Sequence, residues 1–347
     1  MNGMFSRRSP IGLDIGAHCV KAVQSVPGKS GRSIVACTRF PRLMPDTPIS
    51  PAELTDVRAI LRRQGFSGFD VVIAANNDKV LTGAVELPAR RPDVPMDQIA
   101  RAEFSRIQKC DLATAEFAWW ELPTPARGGK GTHVMAVAYP HGEANSQLAV
   151  YDQAGFRVRA IETPAVALGR TCLVSAPGHA TVAAVDLGWR SATIVLMRSG
   201  VVAYERRNPA GGLSKLHAVL AGRLRCDAQV AEQIVSEIGL TGEVSPEAAE
   251  MAEEARPVIA GHLDAVAEEV RKACGYVSHQ YPEAPVTALV VAGGGACIAG
   301  VIDYLAAALK IQVLAAEPGT VQSRGRGQRP AATSSHASAA GLAAHLD

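Results

Sequence analysis

Short apolar runs that end in glycine turns dominate the first part of the chain and predict buried β-strands. The run at residues 11–16 ends in Asp14-Ile15-Gly16, and residues 19–26 form a second strand-like run. Because only a tight turn separates the two runs, they predict a β-hairpin. A second pair of runs at residues 180–187 and 192–197 has the same form, so the sequence predicts two hairpins.

Other segments carry the spacing of three to four residues that is typical of amphipathic helices. Residues 51–64 and 96–108 each place apolar side chains on one face. A long helical region is predicted at 213–280, with a break at 241–246. A third apolar strand, at residues 288–292, follows this region and leads into a run of three glycines.

The segment after a proline- and arginine-rich connector predicts a separate α+β unit. It contains the helix at 96–108 and two strands at 115–122 and 133–139. We therefore expect an insertion within a two-lobed chain. The predicted division is a first lobe at 1–85 and 161–182, an inserted subdomain at 86–160, and a second lobe at 183–347 with a helical subdomain at about 213–285.

Length and composition agree with two lobes. The chain has 347 residues, 48% of them hydrophobic, and its formal net charge of +2 is close to neutral. A near-neutral chain argues against a nucleic-acid-binding protein, which would concentrate basic residues. No apolar stretch approaches the roughly 18 residues of a membrane span. We therefore expect a cytoplasmic protein that does not insert into a membrane.

Both hairpins share one motif, an apolar-Asp-apolar-Gly sequence at the end of the first strand. Its copies are Leu13-Asp14-Ile15-Gly16 and Val185-Asp186-Leu187-Gly188, which predicts a duplicated fold with both motifs at one cleft. Glycine lets the backbone of a tight turn approach a phosphate, and a fixed aspartate can hold hydrated Mg²⁺ through water. Lys21 could reach a phosphate as a point charge. The alternative is that Lys21 is a solvated strand residue and the motifs are ordinary turns.

The ordered set of motifs resembles the superfamily of actin, the DnaK-type chaperones and the sugar kinases. The resemblance implies an α/β, duplicated actin-type (ribonuclease H-like) two-lobed fold that binds ATP or ADP with Mg²⁺. Residues 290–300 resemble its adenosine loop, and Glu162-Thr163-Pro164 resembles the start of the helix that joins the lobes. It implies a catalytic role for Glu162 and water-mediated Mg²⁺ contacts for Asp14 and Asp186. The implied nucleotide-binding residues are Asp14, Gly16, Ala17, His18, Cys19, Lys21, Asp186, Gly188, Ser191, Gly211, Gly212, Glu232, Gly293, Gly294 and Gly295.

Within this superfamily the chain is most similar to the PilM family of type IV pilus assembly proteins. The insertion lies where PilM and FtsA carry theirs, and residues 207–212, Ala231-Glu232 and 340–343 fit PilM. The resemblance implies a cytoplasmic, nucleotide-binding scaffold that binds the N-terminal peptide of a PilN-like inner-membrane protein. It also implies contacts with other pilus motor or platform proteins, and recruitment to the inner membrane through these partners.

Some positions depart from the family pattern and predict weaker nucleotide binding. Ala17 and His18 stand where hydroxyl side chains are usual, and Val235 stands where many relatives place a lysine. We therefore expect a slow ATPase at most. Two alternatives stay open: a small-molecule kinase, for which Asp70 and Asp78 are the nearby candidate bases, and a filament-forming protein like MreB or FtsA.

Overall fold

A computed structural model describes residues 8–28, 31–126, 129–241, 244–321 and 332–345. These residues contain fourteen β-strands, which form three sheets. In chain order the strands are β1 Ile11–Ile15, β2 Cys19–Gly28, β3 Gly31–Pro41, β4 Asp70–Ala74, β5 Leu81–Leu87, β6 Ala115–Glu121, β7 Thr132–Pro140, β8 Arg157–Glu162, β9 Thr181–Leu187, β10 Ala192–Arg198, β11 Val201–Asn208, β12 Ala288–Ala292, β13 Gln312–Ala315 and β14 Thr320–Val321.

The same residues contain nine α-helices, of which α2 packs on the third sheet and the others are associated with the two larger sheets. They are α1 Pro51–Arg63, α2 Met96–Gln108, α3 His141–Gln153, α4 Pro164–Ser175, α5 Leu213–Leu224, α6 Ala228–Ile238, α7 Ala249–Gln280, α8 Val301–Leu309 and α9 Ala337–Ala343. The predicted helices at 51–64 and 96–108 are confirmed. The long helical region is also confirmed, as three helices, and α7 begins after the predicted break.

The two larger sheets repeat one topology. The first has the order β14-β3-β2-β1-β4-β8 and the second the order β11-β10-β9-β12-β13. In each, the first strand of a hairpin lies at the centre, antiparallel to its hairpin partner and parallel to a later strand. This repetition confirms the predicted duplicated fold.

The layers follow from which strand faces are apolar. All of β9 except Asp186 is buried, because helices cover both faces of its sheet. Ala183, Val185 and Leu187 belong to the core formed with α5–α8, whereas Val182 and Ala184 pack with α4. In the first sheet, α1 and α3 cover one face and α9 covers the other. Helices α4 and α9 therefore lie between the two large sheets.

The end of the chain returns to the first sheet, which corrects the predicted assignment of all of 183–347 to the second lobe. Strand β14 pairs with β3, and α9 packs directly on β1. The contact is close because Gly12 has no side chain: a Cβ there would lie 1.9 Å from the backbone oxygen of Ala339. Gly341 of α9 meets α4 as closely, since its Cβ would lie 1.8 Å from the oxygen of Ala167.

The third sheet, with the order β5-β7-β6, forms the small insertion together with α2. Its limits differ from the predicted 86–160. The unit begins at Leu81, because strand β5 already pairs with β7. It ends near Pro140, because α3 packs on the core of the first sheet and β8 pairs with β4 of that sheet. The insertion also touches the second lobe, where Trp120 Nε1 donates to the oxygen of Val202 at 2.8 Å.

Among the described residues, no helix combines the length and apolar character that crossing a membrane requires.

Candidate functional site

A cleft of about 590 Å³ lies where the two central hairpins face each other. The turn after β1 lines one side of it and the turn after β9 lines the other. Both turns are tight: the N–H of Gly16 donates to the oxygen of Cys19 at 3.0 Å, and a Cβ on Gly188 would lie 3.0 Å from the oxygen of Ser191. The two glycine motifs singled out in the sequence therefore meet in space.

Three charged side chains from the two halves meet in the cleft. In the β1–β2 pair, Asp14 lies opposite Lys21, and Lys21 Nζ donates to Asp14 Oδ2 at 3.1 Å. Asp186 comes from the equivalent position at the end of β9. Burial alone would lower the pKa of Lys21, but the charges of Asp14 and Asp186 outweigh burial, and this pKa is raised. The ammonium group of Lys21 therefore interacts electrostatically with both Asp14 and Asp186.

The same burial acts on Asp186 in the opposite sense. Desolvation, with a smaller contribution from the charge of Asp14, raises the pKa of Asp186, although Lys21 opposes the change. A poorly solvated carboxylate with incomplete charge compensation is a suitable position for a bound cation.

The second turn is packed tightly against the start of α5. The N–H groups of Leu213 and Ser214 donate to the oxygens of Gly188 and Trp189 at 3.0 and 2.9 Å. A Cβ on Gly212 would lie 2.5 Å from the backbone carbon of Arg190, so this approach needs glycine. The first amide groups of α5 therefore hold the turn in place.

The triple glycine fixes the third wall of the cleft. Gly293 has a φ of 84°, and a Cβ there would lie 2.0 Å from Asp186 Oδ1. A Cβ on Gly295 would lie 2.6 Å from Leu187 Cβ. These glycines let the turn after β12 pack against the end of β9, and Gly294 reaches the cleft itself.

The structure brings most of the predicted nucleotide-binding residues to this cleft. Those that line it are Asp14, Gly16, Ala17, His18, Cys19, Lys21, Asp186, Gly188, Ser191, Glu232 and Gly294. Four predicted glycines support its walls without lining it. They are Gly211, Gly212, Gly293 and Gly295.

Glu162 is the predicted residue that the structure does not place with the others. Its side chain is only 8% exposed, lies outside the described lining of the cleft, and pairs with Arg170 through both carboxylate oxygens. His345 Nδ1 lies 3.4 Å away as well. The expectation of a catalytic Glu162 is therefore not supported by this geometry, because Arg170 holds the carboxylate that would have to position water.

Sequence reasoning missed several residues that join the two sides of the cleft. The rings of His18 and Trp189 stack with their centroids 4.1 Å apart and their planes inclined by 16°. Trp189 Nε1 and Arg190 Nε both donate to the carboxylate of Asp46 at 3.0 Å. A signal did exist, since Trp189 and Arg190 directly follow Gly188 in the second motif, but Asp46 lies far away along the sequence.

The carboxylates of the cleft fit a hydrated Mg²⁺ rather than a directly bound one. In the part of the chain that the structure describes, no three His, Cys, Asp or Glu side chains are grouped to hold a metal ion. Asp14 and Asp186 supply hard oxygen atoms on opposite sides of the cleft, which suits an ion that keeps most of its waters. These two residues would hold the ion through those waters.

The duplicated sheets, the paired hairpins and the central cleft define a two-lobed protein with an actin-like fold. A family model described as type IV pilus assembly protein PilM matches residues 12–346, and the chain belongs to this family. No curated protein sequence matches the chain significantly.

Solved structures with the same fold span nearly the whole chain. A PilM–PilN type IV pilus biogenesis complex is 20% identical, with a TM-score of 0.75, over 97% of this chain and 98% of that chain. The ethanolamine utilization protein EutJ from Carboxydothermus hydrogenoformans is 14% identical, with a TM-score of 0.57, over 99% and 91% of the two chains. MreB 5 of Spiroplasma citri bound to AMPPNP is 13% identical, with a TM-score of 0.53, over 96% and 94%.

Proposed function

We propose that the chain is a nucleotide-binding scaffold of type IV pilus assembly. The observation that carries this proposal is the meeting of Asp14, Lys21 and Asp186, from two duplicated hairpins, in one cleft between two glycine turns. Such turns suit phosphate oxygens, and the two carboxylates suit hydrated Mg²⁺. The similar fold of MreB 5 was solved with AMPPNP, which adds support for ATP or ADP as the ligand.

In this proposal each element of the cleft has one role. The turns after β1 and β9 hold the phosphates from opposite sides, and Lys21 supplies the positive charge. Gly294, near the third wall, lets the nucleoside approach the backbone. Ala17 and His18 offer no hydroxyl group to the phosphates, so we expect weaker binding than a serine or threonine turn would give. Bound nucleotide would shift the balance between open and closed forms of the cleft and so change the surface offered to partners.

The proposed partner is a PilN-like inner-membrane protein. Support comes from the family membership and from the similar PilM structure, which was solved in complex with PilN. We propose that the N-terminal cytoplasmic peptide of that partner binds between the first lobe and the insertion. The protein would then work at the cytoplasmic side of the inner membrane, held there by PilN-like and other pilus proteins.

Calorimetry with Mg-ATP and with an N-terminal peptide of a PilN-type protein, added separately and together, tests the proposal. We expect both to bind, and we expect Lys21→Met to weaken ATP binding about tenfold or more, because it removes a charged hydrogen bond. The matched control is Lys272→Met, on the exposed face of α7. If the wild-type protein releases no heat with either ligand, the proposal is wrong.

The kinase alternative has less support from the geometry. Asp70 pairs with Arg157, and Asp78 pairs with Arg207, so both candidate bases are engaged by arginines. A carboxylate whose oxygen is already paired with a guanidinium group is poorly placed to take a proton from a substrate.

A further inference from the structure

A cluster of five side chains joins the two sides of the cleft. It consists of His18 and Asp46 from the first lobe and Trp189, Arg190 and Glu232 from the second; we call these five residues the clasp. Two of its contacts involve His18, which stacks on Trp189 and whose Nε2 lies 3.1 Å from Glu232 Oε1. The other contacts converge on Asp46, which accepts from Trp189 and Arg190 and whose main-chain oxygen also accepts from Arg190 at 2.7 Å.

Each half of the clasp is anchored to its own lobe by backbone hydrogen bonds. Asp46 has a φ of 58°, a left-handed conformation that is uncommon for a residue other than glycine, and its N–H donates to the oxygen of Ala17 at 2.8 Å. On the other side, the oxygen of Trp189 accepts from Ser214, and His217 packs edge-on against the indole with centroids 5.1 Å apart. The clasp therefore connects two turns that are each hydrogen-bonded within their own lobe.

A second bridge reinforces the first. Arg207, at the end of β11, pairs with Asp78, in the first-lobe loop after β4. The two bridges both border the cleft, so both must stretch or break when the lobes separate.

The stack of His18 on Trp189 occupies part of the space between the two turns. His18 belongs to the turn after β1 and Trp189 to the turn after β9, and the proposed phosphates must lie between these turns. Rings with centroids 4.1 Å apart are in van der Waals contact and leave no room for a phosphate group between them. A nucleotide whose phosphate chain passes between these two rings must therefore displace the stack or meet the lobes already parted.

We propose that the clasp holds the cleft closed without nucleotide, and that His18 and Trp189 limit nucleotide affinity because their stack must open first. This inference rests on the proposed nucleotide site. When only a fraction of molecules is open, the apparent dissociation constant exceeds the intrinsic one by the inverse of that fraction. Weakening the clasp should therefore tighten binding, which is opposite to the effect of removing a ligand-contacting residue.

The test compares His18→Ala and Trp189→Ala with a matched control, His141→Ala. His141 lies outside the cleft lining and makes the same kind of contact, with Nε2 3.2 Å from Glu116 Oε1. By calorimetry we expect both clasp variants to bind Mg-ATP about tenfold more tightly than wild type, and the control to match wild type. Unchanged or weaker binding in both clasp variants overturns the inference; weaker binding would indicate that His18 and Trp189 contact the nucleotide.

Hydrogen exchange without nucleotide separates this inference from the proposed function. We expect faster exchange of the amides at 42–47 and 187–191 in both clasp variants than in wild type and in His141→Ala. Equal exchange in all four proteins overturns the clasp, even if ATP binds. Faster exchange in proteins that do not bind ATP supports the clasp as a lobe closure and rejects the nucleotide site instead.

Discussion

The two central hairpins have the same backbone topology but different chemistry. Each places an aspartate at the end of its first strand, Asp14 and Asp186, and each follows it with glycine two residues later. Opposite Asp14 lies Lys21, whereas opposite Asp186 lies Thr193. The comparison teaches that the two halves share the shape of the turn and the position of the acid, while only the first half supplies the balancing charge.

The faces that meet the central helices differ as well. Gly12 of β1 occupies the position that Ala184 occupies in β9, two residues before the aspartate. Helix α9 lies so close to β1 that no Cβ fits at Gly12, whereas Ala184 packs its methyl group in the core with α4. The duplicated halves therefore approach their central helices at different distances.

Among the predicted substitutions, Gly12→Ala should cause the largest loss of stability, because it tests the close approach that only the first half makes. The new Cβ would lie 1.9 Å from the oxygen of Ala339 and 2.4 Å from the nitrogen of Ala343, and backbone atoms cannot turn aside as a side chain can. We expect a loss of about 3 kcal/mol in the free energy of unfolding, at the upper end of the usual cost of overpacking. Urea denaturation measures it.

The reciprocal change, Ala184→Gly, is the control for the same position in the other half. It should cost only about 1 kcal/mol, the usual penalty for glycine within a strand. Equal losses of unfolding free energy in the two variants would show that α9 and α4 approach their strands equally closely, which would contradict the difference between the two halves.

Much of this architecture could be predicted from the sequence because it depends on local pattern. The hairpins, α1, α2 and the helical region each follow from apolar spacing within a short window. The seating of α9 on β1 could not be predicted, since it joins Gly12 to Ala339 and neither residue carries a pattern that points to the other. The triple glycine was assigned by resemblance to the adenosine loop, and nothing in the sequence indicated that Gly293 packs against Asp186.

In the candidate site, too, some residues could be predicted from the sequence and others could not. Its charged trio follows from repeated motifs, so Asp14, Lys21 and Asp186 could be predicted together. The stack of His18 on Trp189 depends on how far the lobes close, which no local pattern records. Glu162 shows the opposite case: its place before α4 resembled a functional position, but Arg170, about two turns into that helix, pairs with it.

Lys21→Met tests whether Lys21 compensates the charges of the aspartates in both hairpins. It would leave Asp14 and Asp186 facing each other in a poorly solvated cleft without a balancing cation, and breaking a charged pair in this way is costly. We expect a loss of about 2 kcal/mol in unfolding free energy at neutral pH, measured by urea denaturation. Thr193→Val, the isosteric change opposite Asp186, should alter stability by less than about 1 kcal/mol, because it removes no charge. A comparable loss in both variants would show that the second half depends on its own partner and not on Lys21.

The smallest and most specific test replaces each aspartate by asparagine. Asp14→Asn weakens the hydrogen bond from Lys21 and should destabilise the protein by about 1.5 kcal/mol at neutral pH. Asp186→Asn should behave differently, because burial, which is the largest influence, raises the pKa of Asp186.

The direction of the pH dependence follows from that raised pKa. The folded protein keeps the Asp186 proton at pH values where the unfolded chain, with a pKa of about 3.9, has released it. The contribution of Asp186 to wild-type stability therefore falls as the pH rises from the unfolded pKa through the folded one, and Asp186→Asn removes this fall. Relative to wild type, the variant should be more stable at about pH 7 than at about pH 4, as measured by urea denaturation at both values. A stability difference that stays the same at both pH values would show that Lys21 neutralises Asp186 as fully as it does Asp14, and the asymmetry between the hairpins would be lost.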